Sequence, residues 1–289
     1  MSIVRRIISS KTKELGDGFQ VRRSLPTMGH RAVGPFVFWD HMGPVELIGD
    51  RELKVRSHPH IGLATITWLF SGEIMHRDSL GNKQLIRPGE VNWMTSGNGI
   101  THSERTRSDD APINLEGIQL WLALPKDKED IDASFFHCKE QDVPKINIKD
   151  ASMRLIAGAI ENKKSPVPVY SDLFYLNGSI EPQKNFSYQL SESSEGAIYI
   201  IKDTVDIEGT IHHRFDMIIF KPGSLIEFTS HSGCDFMFFG GPPFPEKRHM
   251  WWNFVSTSKE KIEDAKIRWK NKNFPKTIDE EEFTPLPEN

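Results

Sequence analysis

Residues 87–104 have the sequence RPGEVNWMTSGNGITHSE, and this stretch contains the pattern that decides the fold. Pro88-Gly89 is a turn signal, and the run Val91 to Met94 that follows it is typical of a strand. Gly97-Asn98-Gly99 marks a glycine-rich corner, and Ile100 to Arg105 is the next short strand. Short strands separated by such strong turn signals predict an all-β barrel or sandwich.

The same pattern extends outward in both directions. Upstream, Thr65 to Phe70 is a β-branched and aromatic run that ends at Ser71-Gly72, and the first eight residues also favour an opening strand. Downstream, Leu115 to Leu124 is a long apolar strand closed by Pro125. After a charged, irregular segment at 125–150, further strands are predicted at 153–159, 186–190, 197–201, 217–220, 225–228 and 235–239.

The chain contains an internal repeat. Residues 87–96 resemble residues 221–230 at an offset of 134, and Gly99 then aligns with Gly233 without a gap. The shared identities are turn residues, and they indicate two copies of one barrel. We expect an N-terminal domain in residues 1–130 and a C-terminal domain in residues 131–289.

One helix is expected near the C-terminus. Thr257 and Glu260 have the spacing of a capping box, and three residues that share a helical face follow: Ile262, Ala265 and Trp269. We expect this helix to pack on the C-terminal barrel. The acidic tail that contains Glu280-Glu281-Glu282 is expected to be loosely ordered unless it crosses to the other domain.

Composition and charge exclude several classes of protein. Hydrophobic residues at 37% and charged residues at 26% are typical of a soluble globular protein, and a formal charge of -4 argues against direct nucleic-acid binding. The sequence has neither an apolar run of the roughly 18–20 residues that a membrane helix needs nor a secretory signal. We expect a cytoplasmic monomer. Cys138 and Cys234 are expected to be free, buried thiols, with a single disulfide as the alternative.

Two pairs of polar residues have the spacing of metal ligands. His58-Pro59-His60 places two imidazoles on one face of an extended segment, and His102-Ser103-Glu104 repeats this geometry 42 residues after His60. A closed barrel brings such strands side by side with alternate residues facing inward. Three imidazoles and a carboxylate then surround one cavity, which is a donor set that divalent transition metals prefer.

Other residues compete for a place in this cavity. His76 and Asp78 share a face and are alternative ligands, although a solvated barrel edge is the simpler interpretation, because their strand leads into the Gly81 turn. His41 lines either the mouth of the cavity or a loop. Trp93, Met94 and Trp121 are candidates for an apolar mouth, and core packing is the more common role of such residues.

Several motifs together resemble the pirin family. They span nearly the whole chain and are HPHIG at 58–62, GEIMHRDSLG at 72–81, PGE at 88–90, MTSGNGITHSE at 94–104, DHMGP at 40–44 and RHMWWNFV at 248–255. The resemblance implies a bicupin, which is two double-stranded β-helix (jelly-roll) barrels. It also implies one metal ion, usually iron, on His58, His60, His102 and Glu104. The donors alone are compatible with Fe(II), Ni, Cu, Mn or Zn.

The sequence departs from the family pattern at two places. Many pirins carry a glutamate four residues after the second histidine, where this chain has Ala64. The repeat offset also carries His102 onto Phe236 and Glu104 onto Phe238, and residues 186–197 contain no histidine. We therefore expect the C-terminal barrel to be metal-free and structural.

The resemblance implies a function of the quercetin 2,3-dioxygenase type. In that interpretation O₂ cleaves a quercetin-like flavonol or a related enolic aromatic, carbon monoxide is released, and Glu104 acts as a metal ligand that also moves the substrate's hydroxyl proton. The alternative is a redox-sensitive binding protein that modulates a transcription factor or a metabolic enzyme. A purely structural metal is less expected, because such sites are usually closed and rich in cysteine.

Overall fold

The computed structural model describes residues 2–16, 19–48, 52–106 and 112–288. Its first twelve strands are β1 (Val4–Ser9), β2 (Lys11–Gly16), β3 (Phe19–Leu25), β4 (Phe36–Leu47), β5 (Lys54–His60), β6 (Leu63–Ser71), β7 (Ile74–Asp78), β8 (Lys83–Ile86), β9 (Val91–Thr95), β10 (Ile100–Arg105), β11 (Ile113–Ala123) and β12 (Ser134–Cys138).

The remaining elements follow Cys138. They are β13 (Lys145–Ile148), β14 (Ala151–Ile160), β15 (Lys163–Lys164), β16 (Phe174–Ile180), β17 (Lys184–Gln189), β18 (Glu195–Ile207), β19 (Thr210–His213), β20 (Asp216–Phe220), β21 (Leu225–Ser230), β22 (Cys234–Gly241), β23 (His249–Trp251), β24 (Phe254–Ser256) and the helix α1 (Lys259–Lys270). The all-β prediction and the C-terminal helix are both confirmed.

The chain forms two compact units. One, which we call the N-barrel unit, comprises Thr12–Val21, Trp39–Glu140 and Pro245–Asn289. Its strands form a four-stranded sheet in the order β5-β10-β7-β8 and a seven-stranded sheet in the order β12-β9-β6-β11-β4-β3-β2. The other, the C-barrel unit, comprises Met1–Lys11, Arg22–Phe38 and Gln141–Phe244. Its main sheet has the order β1-β20-β18-β22-β16-β14-β13.

The two units repeat one pairing scheme. The order β5-β10-β7-β8 of the N-barrel unit recurs as β16-β22-β18-β20 in the C-barrel unit, and the pair β6–β9 recurs as β17–β21. Strands β10 and β22 are related by the same offset of 134 that the sequence shows. The structure therefore has two copies of one barrel topology, as the repeat predicts.

The units do not follow a single cut in the sequence. Residues 245–289 belong to the N-barrel unit, whereas residues 22–38 belong to the C-barrel unit. The boundary near residue 130 stays a prediction about the two sequence copies.

Helix α1 packs in the N-barrel unit, so the expectation that it packs on the C-terminal barrel is wrong. Ile262 and Ala265 are buried in one cluster with Ile61, Phe254 and Phe274. The apolar face of α1 was correctly predicted, but a stripe of this kind does not specify which surface it covers.

The N-cap of α1 is Ser258, not Thr257 as the capping-box spacing suggests. The Ser258 hydroxyl accepts from Lys261 N–H at 3.3 Å. Thr257 instead donates its backbone N–H and its hydroxyl to the buried carboxylate of Glu129, at 2.7 and 3.1 Å. Glu129 thereby fixes the segment that leads into the helix.

The acidic tail lies against the outer face of β5 and β10. The Thr277 hydroxyl lies 2.7 Å from Ser57 Oγ and donates to Thr101 Oγ1 at 2.9 Å. Arg105 donates two hydrogen bonds to Glu280, at 2.8 and 2.7 Å. The tail is thus an ordered part of the N-barrel unit, because it satisfies polar groups on these two strands.

We predict that Glu280→Gln lowers the free energy of unfolding by about 1–2 kcal/mol at pH 7, because Arg105 then loses a charged, largely buried partner. Burial alone would raise the pKa of Glu280, but the hydrogen bonds from Arg105 bring that pKa below its usual value. This contribution is therefore present above the unfolded pKa near 4.5 and is lost as the pH falls through the lower folded pKa.

Urea unfolding of the wild type and of Glu280→Gln at pH 7 and pH 3 checks this prediction. Glu281→Gln is the matched control, because Glu281 is exposed. Equal midpoints for wild type and Glu280→Gln at pH 7 would contradict the assigned role of the ion pair.

The C-barrel unit has a large aromatic core. Phe186, Phe220, Phe228, Phe236 and Phe238 are all at most 2% exposed. The rings of Phe186 and Phe228 stack with centroids 4.9 Å apart, and Phe236 meets Phe228 edge-on at 5.1 Å. The apolar interior predicted for this copy is confirmed.

Two smaller expectations concern the cysteines and the membrane. Cys138 and Cys234 are both buried, and neither forms a disulfide. Within the described residues, no helix has the length and apolar character that crossing a membrane requires.

Candidate metal centre

Strand β10 lies between β5 and β7 and brings the polar residues of all three strands together. In its pairing with β5, His102 lies opposite His58, and Ile100 lies opposite His60. In its pairing with β7, His102 lies opposite Asp78 and Glu104 lies opposite His76. Because side chains alternate along each strand, these residues project to one face of the sheet.

Three of the four predicted ligands converge on one point. The rings of His58, His60 and His102 have centroids 4.3–5.0 Å apart, and one ligand nitrogen from each lies within 4.8 Å of the other two. His60 Nε2 and His102 Nε2 are 3.0 Å apart. All three residues are buried, with His60 and His102 only 1% exposed.

Hydrogen bonds fix which ring nitrogen of His58 and His60 is free. His58 Nδ1 lies 2.8 Å from the Arg56 carbonyl, and His60 Nδ1 lies 3.1 Å from the Asn253 carbonyl. A carbonyl oxygen only accepts, so Nδ1 must carry the proton in both rings. The lone pair of each neutral ring is then on Nε2, which is the arrangement found in metal-ligating histidines.

Burial keeps these three imidazoles neutral. It lowers the pKa of His58 to about 4, and it lowers the pKa values of His60 and His102 well below the usual value of 6.5. A metal ion binds the neutral form of imidazole, so no proton has to be displaced near neutral pH.

Glu104 lies beside His102 and His76 rather than within the triad of histidines. One carboxylate oxygen of Glu104 and one nitrogen from each of these two rings lie within 4.8 Å of one another. Thr67 and Gln119 donate to Glu104 Oε1 at 3.4 and 3.3 Å, which orients the carboxylate. Burial raises the pKa of Glu104 and favours its neutral form. A nearby cation would have the opposite effect and favour the ionised carboxylate.

These donors fit a divalent transition metal. Two Nε2 atoms face each other at 3.0 Å in a buried pocket, and His102 Nδ1 is buried without a hydrogen-bond partner among the described residues. If His102 Nε2–H donated to His60 Nε2, the lone pair of His102 Nδ1 would be buried without a hydrogen bond. A cation between the rings uses both lone pairs.

His76 and Asp78 are buried, so the interpretation of β7 as a solvated edge is wrong. His76 is 3% exposed, Asp78 is 0% exposed, and His76 Nε2 donates to Asp78 Oδ2 at 3.0 Å. Asp78 also accepts from the backbone N–H groups of Leu80 and Asn82. The alternation of Ile74, His76 and Asp78 could have indicated that this face points inward.

The other candidate residues have more ordinary positions. His41 lies in β4, not in a loop, and its Nε2 is 3.0 Å from the carboxylate of Glu116. Trp93 and Met94 are buried in β9, and Trp93 Nε1–H donates to Thr95. Trp121 does border the site, since its ring meets the His60 ring edge-on at 5.1 Å.

The equivalent positions of the C-barrel unit carry no such donors. Phe236 lies opposite Gly178 and Ile200, and Phe238 lies opposite Ile198. By strand register, Gly178 and Ile180 correspond to His58 and His60. The counterpart of the His58–His60 pair is therefore on β16. It does not lie in residues 186–197, where the sequence comparison looked for it. Sequence inspection placed it on the wrong strand because the two copies share almost no identity there.

Comparison with known proteins agrees with these features. Residues 18–122 match the sequence model of the family described as pirin, and residues 175–275 match that of the pirin C-terminal cupin domain. A pirin-like protein of Caulobacter vibrioides is 43% identical over 98% of this chain and 99% of its own length. A putative quercetin 2,3-dioxygenase of Pseudomonas aeruginosa is 34% identical over 91% of this chain and 82% of its own length.

A solved structure is also similar over nearly its whole length. The crystal structure of a quercetin 2,3-dioxygenase from Acinetobacter baumannii superposes with a TM-score of 0.89 at 31% identity. The match covers 98% of this chain and 96% of that one.

Proposed function

Because this chain belongs to the pirin family, we propose that it is a mononuclear metal enzyme that oxidises quercetin-like flavonols or related enolic aromatics with O₂. The proposed ligands are His58, His60, His102 and Glu104, and the proposed ion is Fe(II), with Ni, Cu, Mn or Zn as chemically compatible substitutes. The observation that carries the proposal is the convergence of three buried imidazoles, two of which are held by backbone carbonyls with Nε2 free.

The similarity to quercetin 2,3-dioxygenases supports this choice of substrate and reaction. When bound, a redox-active divalent ion supplies a Lewis acid and a path for electrons between an enolate and O₂. Three imidazoles and one carboxylate occupy four positions, so a six-coordinate ion keeps about two open. One substrate oxygen and O₂ would therefore each have a position beside it.

The side chains of the pocket have separate tasks in this proposal. The carbonyls of Arg56 and Asn253 hold His58 and His60 in one tautomer and one orientation. Glu104 takes the proton of the substrate hydroxyl on its free carboxylate oxygen. Thr67 and Gln119 aim that carboxylate, and the Trp121 ring provides an apolar surface beside His60.

The test is O₂ uptake with quercetin by protein purified without added metal, with turnover expressed per bound ion. We expect steady O₂ consumption in the wild type. In Glu104→Gln we expect turnover per bound ion to fall by roughly 10²–10⁴-fold, because the amide cannot accept the substrate proton. Glu227→Gln is the matched control, since Glu227 is exposed on β21.

A protein that retains its metal but consumes no O₂ with any flavonol would contradict the proposed reaction. Redox-dependent capture of a protein partner by that same metal-loaded protein would then favour a binding role. Both outcomes would leave the metal centre itself in place.

A further inference from the structure

The inner face of β7 carries donors that the proposed function does not use. His76 lies opposite Glu104 on the neighbouring strand, and its ring centroid is 5.3 Å from that of His102. A nitrogen of His76, a nitrogen of His102 and an oxygen of Glu104 form a group of three ligand atoms within 4.8 Å of one another. This group shares His102 with the histidine triad.

The spacing of these atoms suits a divalent ion. Two ligand atoms on opposite sides of an ion at about 2.1 Å are about 4.2 Å apart. Three atoms that are 4.8 Å from one another lie about 2.8 Å from their common centre, so each needs to move by at most about 0.7 Å to reach the ion. Rotation of a buried carboxylate or imidazole about its last side-chain bond provides such a movement.

Asp78 accepts a hydrogen bond from His76, as carboxylates commonly do from histidines that bind metal. His76 Nε2–H donates to Asp78 Oδ2 at 3.0 Å, so the lone pair of the neutral ring is on the other nitrogen, Nδ1. Asp78 is itself fixed by Asn82, whose side-chain amide donates to both carboxylate oxygens. The hydrogen bonds from Asn82 to Asp78 and from His76 to Asp78 fix both the tautomer and the ring orientation of His76. The stacked ring of Phe135, 4.5 Å away, covers the other side of His76.

The C-barrel unit offers an internal comparison. Ile198 lies opposite Phe238 as His76 lies opposite Glu104, and Ile200 lies opposite Phe236 as Asp78 lies opposite His102. The copy that lacks all four proposed ligands thus also has isoleucine at the positions of His76 and Asp78.

We propose that His76, His102 and Glu104 form a second divalent-cation position that overlaps the first and shares two donors with it. This inference rests on the proposed metal centre and deepens it: one ion has two sets of protein donors, and His76 retains it when His58 and His60 are not available. Asp78 is the positioning residue of this second set. The ligand class is a borderline divalent metal ion, for which imidazole and carboxylate are suitable donors.

The test uses Co(II) added to the metal-stripped full-length protein, with equilibrium dialysis for affinity and the visible absorption of Co(II) for its coordination. The double variant His58→Ala/His60→Ala removes two of the three donors of the triad. We expect this protein to bind one Co(II) with reduced affinity and an altered spectrum. Adding His76→Phe is expected to weaken that residual binding by a further factor of roughly 100 or more, because it removes a direct ligand.

Three controls keep the result interpretable. His249→Gln in the same double variant replaces a histidine of β23 and should leave Co(II) binding unchanged. Far-UV circular dichroism and thermal unfolding establish that each variant folds. If His76→Phe does not fold, His76→Gln, which keeps a neutral donor toward Asp78, replaces it in the same measurement.

The outcomes separate the two proposals. If the wild type binds Co(II) but the double variant binds it equally with and without His76, the second position does not exist while the proposed centre stands. If the double variant binds no Co(II) at all although it is folded, the second position is again wrong. Failure of the wild type itself to bind Co(II) would overturn the proposed centre and this inference with it.

Discussion

Replacing His60 by alanine is expected to lower the affinity for a divalent ion by roughly 100-fold or more, since loss of a direct ligand should exceed the 10–100-fold cost of losing a residue that only supports one. His60 is 1% exposed, lies 3.0 Å from His102 Nε2 and is held by the Asn253 carbonyl, so it contributes a fixed donor at the centre of the triad. The change should also abolish turnover of the proposed flavonol substrate. Competition with a fluorescent chelator measures the affinity.

His213→Ala is the matched control for this prediction. His213 is an exposed histidine of β19 in the C-barrel unit, and its loss should change neither metal affinity nor the amount of bound metal. Wild-type affinity in a folded His60→Ala protein would show that His60 is not a ligand.

The second large effect is expected in the core of the C-barrel unit. Phe238→Ala should lower the free energy of unfolding by about 3–5 kcal/mol, as is usual for removing a fully buried aromatic ring. Phe238 is 0% exposed, and its ring contacts the rings of Phe174, Phe186 and Tyr188 with centroids 4.7–5.2 Å apart. Partial collapse of the site would reduce the cost toward the lower end of that range.

Urea unfolding and metal analysis together check this prediction. Leu225→Ala, at a residue that is 45% exposed in the same unit, should change stability by no more than about 0.5 kcal/mol. The metal content of folded Phe238→Ala should equal that of the wild type. A large loss of bound metal in the folded variant would show that the C-barrel unit contributes to the metal centre.

Local pattern was sufficient to predict which of these side chains share a face. His58 and His60 share a face because alternate residues of a strand do, and the same parity brings His102 and Glu104 onto that face. The barrel topology then followed from the turn signals and from the repeat at an offset of 134. These predictions needed only strand periodicity and the knowledge that neighbouring strands pair.

The features that were missed depend on tertiary contacts. The burial of His76 and Asp78 requires that β7 lie beside β10, and the alternation along β7 indicates an inward face without identifying that partner strand. The docking of α1 beside Ile61 depends on a surface far away in sequence. Glu129 reaches Thr257 across 128 residues, and this long-range contact is what shifts the N-cap to Ser258.

The tail was expected to be loosely ordered unless it crossed to the other domain, and it does belong to the N-barrel unit. Its acidic composition favours a solvated segment, but Glu280 pairs with Arg105 of β10 and Thr277 bonds to Ser57 and Thr101. Each contact satisfies a polar group on the outer face of the strands that carry the histidines. Composition does not contain that information, because it lies in the partner strands.

The central claim is that His58, His60, His102 and Glu104 hold one divalent ion. The most direct test is a crystal structure of protein purified without added metal, with anomalous diffraction data collected at the absorption edge of the metal found by elemental analysis. The account predicts one anomalous peak per chain, about 2.0–2.3 Å from the Nε2 atoms of the three histidines and from a Glu104 carboxylate oxygen. A stoichiometric metal located elsewhere, or no ion among these side chains even after metal is added, would contradict it.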